Sequence, residues 1–291
     1  MANLKTMVKR AGLLLDRVVP PPAGVTVLIY HRVGGGSDSD VDLEPEQFDR
    51  QLEYLAEHHR VVTLDDALAV LTGDSTASPW ATPSRSDTGQ ESTNTPVGDE
   101  PRTVVITFDD GTEDFTEVVV PALADHGLPA TLYAATRFID QSVEFPWGAP
   151  PASWAGLSDA MSSGFVSIES HTHTHSLLDR LETDSIGADL DRSIDLIGEH
   201  LGRRPRHFAY PKALPGSPTA EIAVRQRFAS AALATSRVNR PGKTDAHRLW
   251  RTPIQRSDGF EAFKLKAAGG LRLEGELRSL TARARYRGSN R

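Results

Sequence analysis

The stretch that most constrains this chain is Thr103-Val104-Val105-Ile106-Thr107-Phe108-Asp109-Asp110-Gly111. Its apolar, β-branched run reads as a short strand buried on both faces, as in a parallel sheet. It ends in two adjacent carboxylates and a glycine. Neighbouring aspartates are poor strand residues and repel each other, so a pair at the end of a buried strand calls for a counter-charge. A metal ion meets that need, taking one carboxylate as ligand and leaving the other free as a base. Taken alone, an Asp-Asp-Gly turn capping the next helix explains the same residues more simply. The choice depends on the rest of the chain.

A second apolar segment, Phe165-Val166-Ser167-Ile168-Glu169, runs directly into Ser170-His171-Thr172-His173-Thr174-His175. A helical turn after the strand would bring His171 and His175, four apart, onto one face, where two imidazoles can grip one cation. Thr172 and Thr174 can bond nearby backbone, Glu169 or Ser170 could orient a ring from behind, and His173 is expected to point away from the ion. A polar His-rich turn explains the cluster by itself. Two histidines joined by a carboxylate from another strand end form a zinc-type constellation with a position open for water. One acidic and one imidazole-rich strand end therefore suggest a single site at the mouth of an α/β barrel.

The rest of the chain supplies the alternation a barrel needs. Val25–Tyr30 reads as the first strand, following Pro20-Pro21-Pro22 and ending in His31-Arg32-Val33 and Gly34-Gly35-Gly36. A lone histidine at a strand end is usually structural; its place at the same end as the other candidates keeps His31 in consideration. Spacing predicts helices over Pro45–His58, from about Asp65 to Leu71, Glu113 to His126, up to Ser162-Ser163-Gly164, Leu181 to Gly202, Ser217 to Arg227 and Phe260 to Ala268. Strands are expected near Val61–Leu64, Pro129–Ala135, His207–Pro211, Phe228–Thr235 and Leu249–Ile254. The Trp147–Trp154 excursion could stack a sugar or simply pack as a loop. Seven or eight strand-helix units imply a parallel sheet with right-handed crossovers, and in one domain they fit a barrel better than an open sheet. The expected division is an N-terminal helical extension over 1–24, the barrel domain over 25–270 and a basic C-terminal tail over 271–291, either a closing helix or solvated. A low-complexity insertion interrupts the barrel at about 73–101.

Composition mainly excludes. The absence of cysteine rules out disulfide scaffolds, thiolate zinc sites and cysteine nucleophiles. A net charge of -7, with no Lys/Arg stripe interleaved with aromatics, argues against nucleic acid as a partner. Ala11-Gly12-Leu13-Leu14-Leu15 is shorter than a signal-peptide core and is followed by Asp16 and Arg17, and no window approaches a transmembrane span. The expectation is a cytoplasmic protein whose first segment lies over the barrel's bottom in preference to making peripheral membrane contact.

Thr107-Phe108-Asp109-Asp110-Gly111, with Ser170-His171-Thr172 and His175, resembles the polysaccharide deacetylase family (NodB homology domain, carbohydrate esterase family 4). Leu28-Ile29-Tyr30-His31-Arg32-Val33 and Phe208-Ala209-Tyr210-Pro211 are similar to its Tyr-His-containing branch. All four stretches follow the family's order, over about Val25 to Phe263. The resemblance implies a distorted, TIM-like (β/α) barrel, commonly of seven strands. It also implies a metal-dependent hydrolase that deacetylates N-acetylated amino sugars such as N-acetylglucosamine, with a carbohydrate substrate and one divalent ion, zinc in most members. Carried onto this chain, it makes Asp109 the general base and Asp110, His171 and His175 the metal ligands. The N–H for the oxyanion falls in Tyr210-Pro211-Lys212.

Two departures from the family pattern stand out. Many members flank that proline with Arg and Tyr, whereas this chain has Ala209-Tyr210-Pro211-Lys212-Ala213, with Lys212-Ala213 where Tyr-Gly often follows. Arg251, in Leu249-Trp250-Arg251-Thr252-Pro253, either supplies the missing guanidinium and holds Asp109 ionised or makes an ordinary surface ion pair. The late Leu-x-His motif has no match after His247, and in the Tyr-His branch the histidine matching His31 is placed to protonate the leaving amine, so His31 is assigned as general acid. The alternatives are a hydrolase of another small or cyclic amide, a deacetylase of a lipid-linked N-acetyl sugar, or a non-catalytic carbohydrate binder. The last would show loss of a base or ligand, and all four are present.

Overall fold

The computed structural model describes residues 16, 19–73 and 101–285. Most of the expected N-terminal extension, residues 74–100 of the insertion and residues 286–291 of the tail lie outside the described residues. In chain order the strands are β1 (Val25–Tyr30), β2 (Arg32–Val33), β3 (Asp42–Leu43), β4 (His59–Val61), β5 (Arg102–Asp110), β6 (Ala130–Ala134), β7 (Val166–Ser170), β8 (His207–Ala209), β9 (Ser230–Ala232) and β10 (Arg251–Pro253).

Seven of them form one parallel sheet in the order β10-β1-β5-β6-β7-β8-β9, and β4 adds to β5 off that path. Its two ends approach each other: Leu249 N–H donates to Ala231 O (2.9 Å), Leu233 N–H to Leu249 O (2.8 Å) and Thr235 N–H to Arg251 O (2.9 Å). The sheet is therefore a nearly closed barrel, the distorted (β/α) form the sequence implied, and its edges are covered. No helix among the described residues is long and apolar enough to cross a membrane.

Strands buried on both faces explain the continuous apolar runs. Leu28, Tyr30, Val104, Ile106 and Phe108 pack outward under the helices, while Val25, Val27 and Val105 join Tyr133, Ala209, Ala232 and Leu249 in a second cluster within the barrel. Helix α1 (Pro45–His58) lies on the outer layer through Phe48, Leu52 and Leu55. Helix α2 (Leu64–Thr72), capped by Thr63 Oγ1 accepting the Asp66 N–H at 3.1 Å, adds Leu64, Ala67 and Leu71 to the inner cluster.

Elsewhere the helices follow prediction with local differences. The segment expected as one helix to His126 opens as a π-turn, Phe115–Val119, before α3 (Val120–His126). Pro121 has no N–H to continue the tighter ladder, and a wider turn accommodates that. A short α4 (Thr136–Gln141) carries no clear periodic signal in so few residues; α5 (Trp154–Ser162), α6 (Thr183–Leu201), α7 (Pro218–Arg227) and α8 (Gly259–Ala267) complete the alternation. The tail forms α9 (Arg272–Arg285), a helix in place of a solvated end.

Next to His31, the loop beyond β1 is clamped by one buried arginine. Arg32 Nε lies 3.1 Å from Asp114 Oδ1 and Nη1 lies 3.7 Å from Asp42 Oδ2. Asp114 also accepts the Val33 N–H (2.9 Å), and Asp42 accepts the N–H groups of Gly35 (3.0 Å) and Ser37 (2.9 Å). A Cβ on Gly35 would meet three atoms of the Arg32 guanidinium at 2.1, 2.2 and 2.7 Å. Two carboxylates prevent that group from swinging aside, so Gly35→Ala should destabilise by about 1–3 kcal/mol, the usual cost of overpacking. A lower urea midpoint at unchanged slope is the expected reading; an unchanged midpoint would mean the clamp yields.

Candidate active site

Alternation along β5 sends Thr107 and Asp109 to the barrel side that holds Val105, and would send Asp110 outward with Phe108. The backbone turns over at this point: Asp110 has φ 77° and Gly111 φ 93°. Glycine adopts that region without steric cost, whereas an aspartate held there is uncommon and marks a constrained position. Both carboxylates end at the mouth. Asp109 Oδ2 lies 3.8 Å and Asp110 Oδ1 3.7 Å from His171 Nε2, and Asp110 Oδ1 lies 3.2 Å from His175 Nε2.

His171 follows β7 directly, and its Nδ1 donates to Ala209 O at 2.8 Å, which leaves Nε2 as the free lone pair aimed at Asp110. Burial lowers His171 to about 4, against the attraction of Asp109, so the ring is neutral near pH 7 and able to ligate. His175 arrives by a different route from the helical turn expected. Thr172 (φ 69°) and His175 (φ 58°) are left-handed, and the His175 N–H donates to Thr172 Oγ1 at 2.9 Å. Asp189 of α6 holds the intervening loop, accepting the N–H groups of His173 and Thr174 at 3.0 Å each. The signal for Asp189 was present: a lone carboxylate on the apolar face of the helix, three residues after Ile186. Glu169 and Ser170 do not orient the imidazoles; Glu169 accepts from the Arg206 and His207 N–H groups, and Ser170 pairs with Ser193. His173 turns away from the cluster, toward Thr136 Oγ1 at 3.0 Å.

Arg251, at the start of β10, is fully buried and grips Asp109 at both oxygens, Nη1 to Oδ1 at 2.6 Å and Nη2 to Oδ2 at 2.9 Å. Its Nε donates to Leu233 O (3.2 Å) and Nη1 also reaches Thr107 Oγ1 (3.3 Å). Of the two readings of Arg251, the surface ion pair is excluded. Burial would raise the Asp109 carboxyl, but Arg251 and His171 outweigh it and hold it below the usual carboxylate range. Asp110 behaves likewise: burial opposes ionisation, and the His175 hydrogen bond and imidazole charges depress the carboxyl further. His31 lies close enough for its charge to act on both carboxylates, and its Nδ1 is buried without a hydrogen-bond partner.

The segment after β8 contributes less than its three residues suggested. The Tyr210 N–H is engaged by Ala232 O (3.1 Å), and the Tyr210 ring packs edge-on against Phe208 (5.0 Å) among helix-facing residues. Pro211 has no N–H. Lys212 therefore supplies the first N–H this segment can present, from a left-handed backbone (φ 55°, ψ 14°). Beside it Trp147, 42% exposed, stacks on Phe145 (4.9 Å) and turns its edge toward His175 (5.8 Å).

One ligand atom each from Asp110, His171 and His175 lie within 4.8 Å of one another. A buried ionised carboxylate and two imidazoles suit zinc or a similar divalent ion. A cavity of about 460 Å³ bounded by Val19, Pro22, Val238 and Leu273 contains none of these groups; it sits at the other end of the barrel, near the start of β1.

Residues 97–229 match the family model described as polysaccharide deacetylase. Over that stretch the chain is similar to the polysaccharide deacetylase family. The family consists of hydrolases acting on amide bonds. No curated protein matches the sequence. Among solved structures the fold is shared with IcaB from Ammonifex degensii, at 23% identity and TM-score 0.69, covering 86% of this chain and 98% of that one. It is shared with the Streptococcus pyogenes deacetylase PplD, solved in complex with acetate, at 18% identity and TM-score 0.68, covering 84% and 99%. A de-N-acetylase from Aggregatibacter actinomycetemcomitans aligns at 18% identity and TM-score 0.64, covering 83% and 99%. The matched segment contains Asp109, Asp110, His171 and His175; His31, directly after β1, and Arg251, in β10, lie outside it.

Below the mouth, Glu169 is fully buried, opposite Tyr133 in the sheet register. Its Oε2 accepts the N–H groups of Arg206 (2.6 Å) and His207 (2.8 Å), while Oε1 has no hydrogen bond and only Arg203 Nη2 at 3.7 Å. Burial pushes the Glu169 carboxyl up, and His207 offsets only part of this. Stability from a raised carboxyl is fully present below its unfolded value, about 4.3, and is lost as pH rises through the folded value. Glu169→Gln keeps an acceptor for both N–H groups and removes the charge. The variant should match the parent below about pH 4 and exceed its stability near pH 8 by about 1 kcal/mol in denaturant titrations. Equal stability at both values would show that the charge is compensated.

Proposed function

We propose that this chain is a metal-dependent deacetylase that removes N-acetyl groups from amino sugars, N-acetylglucosamine foremost, in a polysaccharide, oligosaccharide or glycan precursor. The observation that carries the reading is the doubly held Asp109 beside Asp110, His171 and His175: a base fixed in position next to a set of three metal donors. A divalent ion held by those donors, zinc being the proposed one, would polarise the acetamide carbonyl and make a water more acidic.

Asp109 takes the proton from the attacking water as its oxygen bonds to the carbonyl carbon. Arg251 holds both carboxylate oxygens, so the base is ionised and aimed before substrate arrives, and no side-chain reorganisation is needed. The N–H of Lys212 is the proposed donor to the developing oxyanion. His31, directly after β1, which neighbours β5, gives a proton to the nitrogen as the C–N bond breaks, releasing acetate and the free amine. The exposed Trp147 and Lys212 at the rim favour an extended sugar over a small cyclic amide, which would need a closed pocket.

The test is metal content of the purified protein with acetate release from N-acetylglucosamine oligomers before and after chelation. Release abolished by chelator and restored by a divalent ion supports the proposal. Bound metal without acetate redirects it to a lipid-linked sugar or another amide, and failure to bind any divalent ion overturns it.

A further inference from the structure

Lys212 is exposed, yet its ammonium stands 5.0 Å from the centre of the Trp147 ring, which lies 5.8 Å, centre to centre, from the His175 imidazole. The ring is braced: Trp147 stacks on Phe145, which stacks on Phe138 at 4.3 Å. Lys212 and its neighbour Ala213 both hold φ 55°, which fixes the direction in which the lysine leaves the chain. Among the described residues no carboxylate lies within ion-pair distance of Lys212. A positive charge with no anionic partner among the described residues thus stands over an aromatic ring at the mouth of the site.

We propose that Trp147 and Lys212 form a subsite that reads the charge of the sugar next to the one being deacetylated. The inference rests on the deacetylase reading above. The ammonium, held over the ring, favours an anionic substituent on the neighbouring sugar and repels a cation, and the exposed rim of the indole adds apolar contact. Deacetylation itself makes a cation, because a neutral acetamide becomes an amine that takes up a proton. A sugar already deacetylated is therefore disfavoured in this subsite. On a neutral N-acetylated polymer, amines should be spaced apart instead of accumulating in blocks, and a neighbour carrying a carboxylate or phosphate should be preferred. At low ionic strength the charge contrast should reach about 3–10-fold in kcat/KM for each sign, and it should shrink as salt screens it.

The experiment uses the full chain loaded with a divalent ion and four tetrasaccharide probes: fully N-acetylated, and the same with a uronate, a phosphorylated sugar or a free-amine sugar beside the target. The expected order is anionic above neutral above amine, collapsing toward equality at about 0.5 M salt. Comparison of the uronate with the phosphorylated probe tells which anion is meant. Lys212→Gln should level the order and Lys212→Glu invert it; ratios among probes are compared, because the Lys212 N–H also serves the reaction. Calorimetric binding of the probes to Asp109→Asn should rank them the same way without turnover. A wild-type order independent of charge, or an order unchanged in Lys212→Glu, overturns the subsite. Charge-ranked binding with no acetate from any probe would instead overturn the deacetylase reading and leave the subsite standing.

Discussion

Asp109→Asn should keep its metal and lose turnover by about 10²–10⁴-fold, the range a general base supplies. The donors Asp110, His171 and His175 are untouched by the exchange, and the amide has nearly the shape of the carboxylate it replaces. What changes is chemistry: an amide cannot accept the proton of the attacking water. One of its groups also becomes a donor facing the donors of Arg251, which now sits buried with its charge uncompensated. Breaking a buried pair from one side typically costs about 3–5 kcal/mol, so circular dichroism and thermal melts accompany the kinetics. A folded variant with near-stoichiometric metal and acetate release close to the parent's would remove Asp109 from the role of base.

His175→Ala should empty the site. Three protein donors become two, and the loss should exceed the about 10–100-fold in metal affinity that follows when a mere supporting partner is removed. The backbone has reason to survive: the His175 N–H bond to Thr172 and the Asp189 clamp on the loop do not involve the imidazole. Alanine at φ 58° keeps the left-handed backbone cost of about 1 kcal/mol that the histidine already bears. Elemental analysis after dialysis reads the result. Stoichiometric metal in the variant would take His175 out of the ligand set.

These two residues were legible because their signals are local: a buried strand running into Asp-Asp-Gly, and a strand running into alternating histidines. Strand and helix periodicity likewise disclosed the barrel, since the central strands are buried on both faces and several helices carry caps of their own, at Thr63, Ser153 and Ser217. What local pattern could not convey was distance in space. Nothing within a few residues of Arg251 says that it meets Asp109, because the pairing depends on the ring closing so that β10 lies against β1. The left-handed loop from Thr172 to His175 was misread as a helical turn for a related reason: its shape is imposed by Asp189 from a separate helix. Tyr210 illustrates the opposite error, a motif position whose side chain serves packing and whose N–H belongs to the sheet.

The pairing of the fifth strand with an arginine on the tenth also orders events during synthesis. Every proposed metal donor is in the chain by residue 175, but the guanidinium that grips Asp109 is 142 positions behind it. Until β10 docks against β1, Asp109 is a carboxylate among apolar neighbours without its partner, for which protonation is the cheaper state. A nascent chain thus carries all its proposed ion donors well before it carries the partner of its proposed base. Docking of the last strand completes the barrel and, in the same step, charges the base.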